Sequence, residues 1–398
     1  MPANSLRLMR THFCAPLAAI ALVSGLGAPA WADARESLSS GLAKFQAGDT
    51  DGAIRMLTDA INARELSGPS LATVYYDRGG MYLSRNDYAK ALADADKAVA
   101  LSPGYGDALK MRGTINFAKG DMDAAIASLQ AAQQQLPDDD GIHVDLGNAW
   151  RSKGDHAKAM AEYDRAIAMR ATPIGYAGRA LAHLAAGEND AAIADFGEAI
   201  RLKPDYATAY LNRANAYTAA GKFDLAVADF DQALKLRPGD ANAISGRANA
   251  YAKLGHADQA TTEYDAMLRA NPNDAMLHRK RGDIYLAARA YDKAIADYDA
   301  ALTLMPGDAG LLLNRGAAYH SKGDYAHAID DYTAALKTAP NDARLYNNRG
   351  NAYAATSKFD AAIADYDAAL RIQPGYADAL HNRDGAMKAK TTGKAVHG

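Results

Sequence analysis

The sequence predicts an all-α fold of helical hairpins stacked side by side, and three observations predict it. Prolines stand at 69, 103 and 137, then at 204, 238, 272, 306, 340 and 374, a spacing of 34 broken by one interval of 67. A fixed period of that length marks one supersecondary unit that is repeated and stacked. Alanine, the best helix former, is abundant throughout. Small residues recur at fixed places in every period, which lets two helices approach closely.

Residues 1–32 stand apart. Arg7 and Arg10 give a positive start, an apolar run follows from Phe13 to about Gly27, and Ala30-Trp31-Ala32 has the pattern of a signal-peptidase site. The run is too short for a good membrane span. The expectation is a secretory signal cleaved after Ala32, a mature chain beginning at Asp33, and a periplasmic or secreted protein with no stable membrane span. Cys14 is the single cysteine and leaves with the signal. The mature chain then has no disulfide and no thiol chemistry.

The repeats follow. With each proline counted at place 32, repeats begin near 34, 72, 106, 140, 173, 207, 241, 275, 309 and 343. The array runs over 33–390, closes with a capping helix at 377–390, and leaves a polar tail at 391–398. The first helix of each repeat is expected to end at place 15, usually a glycine such as Gly120, Gly154 or Gly323, because glycine adopts the left-handed conformation that closes a helix. The second helix stops before the proline, which cannot continue it. Place 8 is glycine or alanine, and place 20 is alanine in every repeat. Places 11 and 24 are mostly aromatic, for example Tyr319 and Tyr332, and read as large core fillers rather than a cofactor box.

These spacings and residue types resemble the tetratricopeptide repeat (TPR) over about residues 34–390. The resemblance implies a right-handed α-α superhelix, a TPR solenoid, with the first helix of each pair lining a concave groove. It also implies a scaffold that holds partner proteins or peptides and has no catalysis of its own.

One departure recurs. Place 7 is arginine where the commonest family pattern has leucine, as at Arg78, Arg179, Arg281, Arg315 and Arg349. Place 23 on the second helix is usually acidic, as at Asp94, Asp195, Asp297, Asp331 and Asp365. The expectation is an arginine–carboxylate contact within most repeats, worth at most about 1 kcal/mol if exposed.

Little points to an enzyme. No glycine-rich phosphate loop, HExxH or nucleophile elbow is present. The histidines fall at different places of different repeats, and the run Asp138-Asp139-Asp140 reads as a solvated turn. No cofactor and no metal site is expected. A net charge of −3 makes nucleic acid a poor partner.

By the same resemblance, places 2, 5, 9, 12 and 13 face the groove, with place 6 beside them. Lys110, Arg151, Lys253, Arg279, Arg344 and Lys388 there outnumber Asp107, Asp283 and Asp378. A groove more positive than its surroundings favours an acidic segment or a free carboxylate. Asn212, Asn314, Asn348 and Asn382 occupy place 6, Asn215, Asn249 and Asn351 occupy place 9, and Asn347 is a further groove candidate. An amide donates and accepts, so these residues suit an extended peptide backbone. Asn314, Asn348 and Asn382 resemble the asparagine ladder of some family members. Arg279, Asn314 and Arg344 resemble, in part, the carboxylate clamp of chaperone-binding members. Asp283 and Asn348 depart from that clamp, and Asp283 is expected to neutralise part of Arg279. The expected function is a non-catalytic adaptor for an extended segment; a self-assembling or spacer protein of the envelope is the alternative.

Overall fold

The computed structural model describes residues 32–392, which are helical with no strand among them. The expected signal segment before Ala32 and the tail from 393 lie outside the described residues. Contacts divide the chain into two units, residues 1–216 and 217–398.

The first unit holds α1 (Ala32–Gln46), α2 (Thr50–Asn62), α3 (Gly68–Ser84), α4 (Tyr88–Leu101), α5 (Gly106–Lys119), α6 (Met122–Gln135), α7 (Asp140–Lys153), α8 (His156–Met169), α9 (Pro173–Ala185) and α10 (Asn189–Leu202). The division falls within α11 (Ala207–Ala219). The second unit continues with α12 (Phe223–Leu236), α13 (Ala241–Lys253), α14 (Ala257–Ala270), α15 (Ala275–Ala287), α16 (Tyr291–Leu304), α17 (Ala309–Lys322), α18 (Tyr325–Thr338), α19 (Ala343–Ala355), α20 (Phe359–Ile372) and α21 (Ala377–Thr392). Odd-numbered helices open the hairpins and even-numbered ones close them. In each unit a first helix packs on its own second helix, and that second helix packs on the next first helix.

Helix starts coincide with the expected repeat starts from 106 onward. The exception is α3, which begins at Gly68 rather than 72, because Pro69 sits in its first turn, where a missing N–H costs nothing. The closing helix α21 runs to Thr392, two residues beyond the expected end.

Place 15 is left-handed in every repeat. Gly120, Gly154 and Gly323 have φ of 86°, 85° and 89°, and Asn86, Arg289 and Ser357 take φ of 63°, 60° and 59° in repeats that lack the glycine. The turn geometry is therefore imposed by hairpin packing, and the non-glycine residues accept a local cost of about 1–2 kcal/mol. Five second helices are capped by an aspartate whose carboxylate accepts a backbone N–H three residues on: Asp49, Asp87, Asp121, Asp155 and Asp324.

The core runs along the hairpins. The place-20 alanines, Ala53 through Ala362, are all 0% exposed. The place-24 rings are buried as expected, from Tyr163 to Tyr366. The place-11 tyrosines are not. Tyr251, Tyr285, Tyr319 and Tyr353 are only half-buried and pack against the edge of the core, so the core reading holds for them in part. At Tyr319 and Tyr353 the place-7 arginine crosses the ring, with the Arg315 and Arg349 guanidinium carbons 6.0 and 5.9 Å from the ring centres. That stacking keeps one ring face at the surface.

The arginine–acid pairs are also more buried than surface pairs. Arg315 grips Asp331 with two N–H groups, at 2.9 and 2.6 Å, and sends a third to Asp299 on the preceding second helix at 2.5 Å. Arg281 does the same with Asp297 and Asp265, while Arg247 gives one N–H each to Glu263 and Asp231. In the first unit Arg179 joins Asp195 and Asp164. Each arginine therefore clips its own hairpin to the one before it. The Asp94, Asp195, Asp297, Asp331 and Asp365 carboxylates lie in residues only 4–6% exposed.

Where place 7 is Leu146, the acid at place 23, Glu162, takes the buried His143 instead, at 2.6 Å. The aspartate run at 138–140 is not simply solvated. Asp139 caps α7 and pairs with Lys110 at 2.7 Å, while Asp140 is buried and pairs with Arg170 at 3.2 Å.

Candidate functional site

The candidate site is the face formed by successive first helices. On a helix, places 2, 5, 6, 9, 12 and 13 share one side, because three- and four-residue steps return to the same face. Asn212 and Asn215 belong to the first unit, and the remaining expected site residues to the second.

In the second unit the polar row bonds laterally. Asn314 Nδ2 on α17 donates to Asp283 Oδ1 on α15 at 2.9 Å. Asn382 Nδ2 on α21 donates to Asn347 Oδ1 on α19 at 3.1 Å, and Asn347 Nδ2 donates to Asn348 Oδ1 at 3.4 Å. Asn314 and Asn382 thus lie on the first-helix face and link neighbouring repeats. Asn347 is 4% exposed, so most of its bonding capacity is spent inside the fold.

Place 9 serves the core ring opposite it. Tyr366 Oη donates to Asn351 Oδ1 at 2.8 Å, and Tyr298 Oη donates to Asp283 Oδ1 at 2.7 Å. In the first unit Tyr163 Oη donates to Asn148 Oδ1 at 2.8 Å. The reason is the cost of burying a hydroxyl without a partner. The pattern also explains place 8. Tyr163, Tyr298, Tyr332 and Tyr366 face the glycines Gly147, Gly282, Gly316 and Gly350, where a Cβ would come within 3.0 Å of the ring. Opposite Phe196, place 8 is Ala180 and place 9 is the apolar Leu181, whereas opposite Phe230 place 8 is Ala214 and place 9 is Asn215.

Asp283 accepts from Tyr298 and Asn314 and forms no ion pair with Arg279 among the described residues. Arg279 is half-buried and forms no ion pair among the described residues, and neither does Lys253. Arg344 is engaged by the Asp342 carboxylate that caps α19, at 3.0 Å through Nε and 2.7 Å through Nη2. The two arginines of the partial clamp are therefore unlike: one is available and one is held. Asn249 is exposed and has no hydrogen bond among the described residues. Asn212 and Asn215 are likewise unpartnered in the first unit, the former half-buried and the latter exposed.

The first unit carries a residue that the sequence reading passed over. Asp145 stands at place 6 of α7, where its counterparts in three other repeats and in the capping helix are asparagine. Burial, offset in part by Lys110 and reinforced by Asp139, pushes its carboxyl up to about 7. Nearby, Tyr76, Asp107, Lys110, Asp139 and Arg170 line an open cleft of about 630 Å³. A carboxyl raised above its unfolded value stabilises the fold below the unfolded pKa, and that contribution is lost as pH rises through the folded pKa. Wild type is therefore expected to lose stability between about pH 4 and pH 8 through this group, and Asp145→Asn to flatten that slope, as read by denaturant midpoints across pH. An unchanged slope in the variant would assign the dependence elsewhere.

Among the described residues no group of three or more His, Cys, Asp or Glu is placed to hold a metal ion. No described helix is long and apolar enough to cross a membrane. His143 is bound to Glu162, and His278 contacts Asp297 at 3.2 Å and the Pro272 carbonyl at 2.9 Å.

Comparison with known proteins agrees with this architecture. Tetratricopeptide repeat models match residues 38–106, 101–140, 110–173, 178–241, 217–284 and 343–376, and a TPR repeat model matches 282–323 and 316–357. The Hsp70-Hsp90 organizing protein of Triticum aestivum is 29% identical over 116 residues, which is 29% of this chain and 19% of that protein. Hsp70-Hsp90 organizing protein 2 of Arabidopsis thaliana is 37% identical over 73 residues, 18% of this chain and 12% of that protein. The chain thus spans a fifth or less of the curated relatives it matches. Among solved structures, the C-terminal part of a TPR repeat-containing protein from Cytophaga hutchinsonii is 16% identical with a TM-score of 0.51, over 60% of this chain and 98% of that one. A tetratricopeptide repeat protein from Parabacteroides merdae is 22% identical with a TM-score of 0.47, over 61% of this chain and 97% of that one. With repeat models laid end to end from residue 38 to residue 376, the chain belongs to the tetratricopeptide repeat family.

Proposed function

We propose that the chain is a non-catalytic scaffold whose first-helix groove holds an extended protein segment, with a preference for acidic or carboxylate-bearing sequence. We propose further that it works in the periplasm or outside the cell after loss of residues 1–32. One contrast supports the reading. Charges between the second helices are spent on one another, as in the Arg315–Asp331–Asp299 clip, whereas Lys253, Arg279 and Asn249 on the first-helix face keep their bonding groups unpaired. Curated relatives named for organizing Hsp70 and Hsp90 are in keeping with protein partners.

The test uses random, unstructured dodecapeptides as free acids and as C-terminal amides. Wild type is expected to enrich acidic members. Arg279→Ala is expected to weaken them about tenfold, about 1.4 kcal/mol, with unchanged helix content by circular dichroism. Arg344→Ala should do much less, because its guanidinium already serves Asp342. Failure of wild type to enrich any peptide would remove the proposal, and light scattering would then show whether the array instead binds itself. N-terminal sequencing of the exported protein checks cleavage before Asp33.

A further inference from the structure

The row of buried tyrosine hydroxyls and their first-helix acceptors is interrupted in one repeat. In α17 place 9 is Ala317, which has no side-chain acceptor. The opposing ring, Tyr332 on α18, is 1% exposed. Its pose is that of its neighbour one repeat on. A Cβ built on Gly316 would lie 2.7 Å from Tyr332 Cε1 and 3.1 Å from Cζ, and one on Gly350 would lie at the same 2.7 and 3.1 Å from Tyr366. Tyr366 Oη reaches the place-9 residue Asn351 at 2.8 Å. The Tyr332 hydroxyl therefore projects over Ala317 toward the first-helix face, and it forms no hydrogen bond among the described residues. Burial raises its pKa, so it stays protonated and keeps an O–H to donate to an acceptor.

The gap is specific to this repeat. Tyr298 has Asp283, Tyr366 has Asn351, and Tyr163 has Asn148. Where Tyr264 has lost this geometry, place 8 is Ala248 rather than glycine, and its hydroxyl interacts with Ser245 instead. Only Tyr332 combines the glycine seat with an alanine at place 9 among these rings. The Tyr332 ring is buried, but its oxygen is not among the sealed, partnerless polar atoms, so it keeps access to the first-helix surface where a bound partner can reach it.

We propose that the Tyr332 hydroxyl is a register-setting donor for the bound segment: a main-chain carbonyl of an extended peptide occupies the space above Ala317 and accepts its hydrogen bond. Asn348, at place 6 of α19, and Asn314, at place 6 of α17, flank that point on neighbouring first helices and supply amides to the adjoining peptide unit. No base or charge on the peptide is required there, so the contact fixes position rather than sequence. Side-chain preference is then set at a distance along the groove, by Arg279. This inference rests on the groove-binding reading above and adds to it one atom and one ligand group.

The experiment uses dodecapeptides enriched by wild type whose affinity falls in Arg279→Ala, the full-length mature chain, and three variants. Tyr332→Phe removes the donor. Ala317→Asn supplies the missing acceptor from within the fold. Tyr366→Phe removes a hydroxyl that is already paired internally. The first two are expected to weaken the selected peptides by about fivefold or more. Without peptide, Tyr332→Phe should be as stable as wild type or more so, and Ala317→Asn more so. Tyr366→Phe should lose stability and keep its peptides. Peptides that bind Tyr332→Phe as tightly as wild type overturn the inference and leave the groove reading standing. Equal destabilisation by Tyr332→Phe and Tyr366→Phe overturns it as well, because the hydroxyl would then have an internal partner. If wild type enriches no peptide that responds to Arg279→Ala, the groove reading fails and this inference fails with it.

Discussion

Arg315→Leu is expected to destabilise the second unit by about 3 kcal/mol, the low end of what removing one partner of a buried ion pair costs. The loss comes from Asp331, not from the arginine. Asp331 is 5% exposed, and its two oxygens are served by Arg315 Nε and Nη2. Without them a buried carboxylate has no cation. Hydrogen bonding to Asp331 and Asp299 holds the Arg315 guanidinium above the usual arginine range, as expected of a charge fixed between two acids. Asp299 has a side chain 51% exposed and returns to water at little cost. Three comparisons isolate the mechanism. Asp331→Leu alone should cost less, because the freed arginine keeps Asp299. Arg315→Leu combined with Asp331→Leu should recover much of the loss, since an apolar pair of that size often replaces a buried ion pair without penalty. Asp299→Ala should cost under about 1 kcal/mol. Urea denaturation followed by circular dichroism gives the cycle. Additive losses in the double variant would show that the two side chains do not act as a pair.

The same clip shows how far the sequence could be read. The arginine and its acid lie 16 residues apart in repeat after repeat, and that recurrence made the contact within a hairpin legible. The second acid lies 16 residues before the arginine in most repeats, at Asp231, Asp265 and Asp299. It was equally periodic, but one partner already accounted for the arginine. Burial of the pair was not legible, since a charged residue on a helix is ordinarily at the surface. The half-exposure of Tyr319 and Tyr353 goes with the same contact: the Arg315 and Arg349 guanidinium groups lie over one ring face while each ring packs on the edge of the core.

The groove was legible as a set of places and illegible as a set of available groups. Asparagines at places 6 and 9 look alike in sequence. Asn351 is spent on Tyr366, Asn347 on Asn382 and Asn348, and Asn314 donates to Asp283, while Asn249 is unpartnered. That sorting depends on which ring stands opposite and which helix stands beside, and both are settled only by packing. Asp145 was passed over for a related reason. Its meaning lies in its partial burial and in the proximity of Lys110 and Asp139, not in its type.

Packing also reverses the ordinary effect of glycine. Gly147→Ala is expected to cost the first unit about 2 kcal/mol, although alanine in a helix interior is normally favoured over glycine by about 1 kcal/mol. Gly147 lies in α7 against Tyr163 of α8, and an added Cβ would sit 2.6 Å from Tyr163 Cε1. The ring has no room to retreat. Its other side meets Gly178 of α9, where a Cβ would come 2.5 Å from the same atom. Tyr163 is 0% exposed, and its hydroxyl is tied to Asn148 at 2.8 Å, so sliding along the slot would break that bond. The control is Gly385 in α21, which has no atom within 4 Å of an added Cβ. There Ala should stabilise by about 0.5–1 kcal/mol. Opposite signs for one chemical change at two helical glycines would assign the cost to the tyrosine slot between α7 and α9. A gain at Gly147 equal to that at Gly385 would mean that the two hairpins separate freely, and the close packing ascribed to place 8 would be wrong.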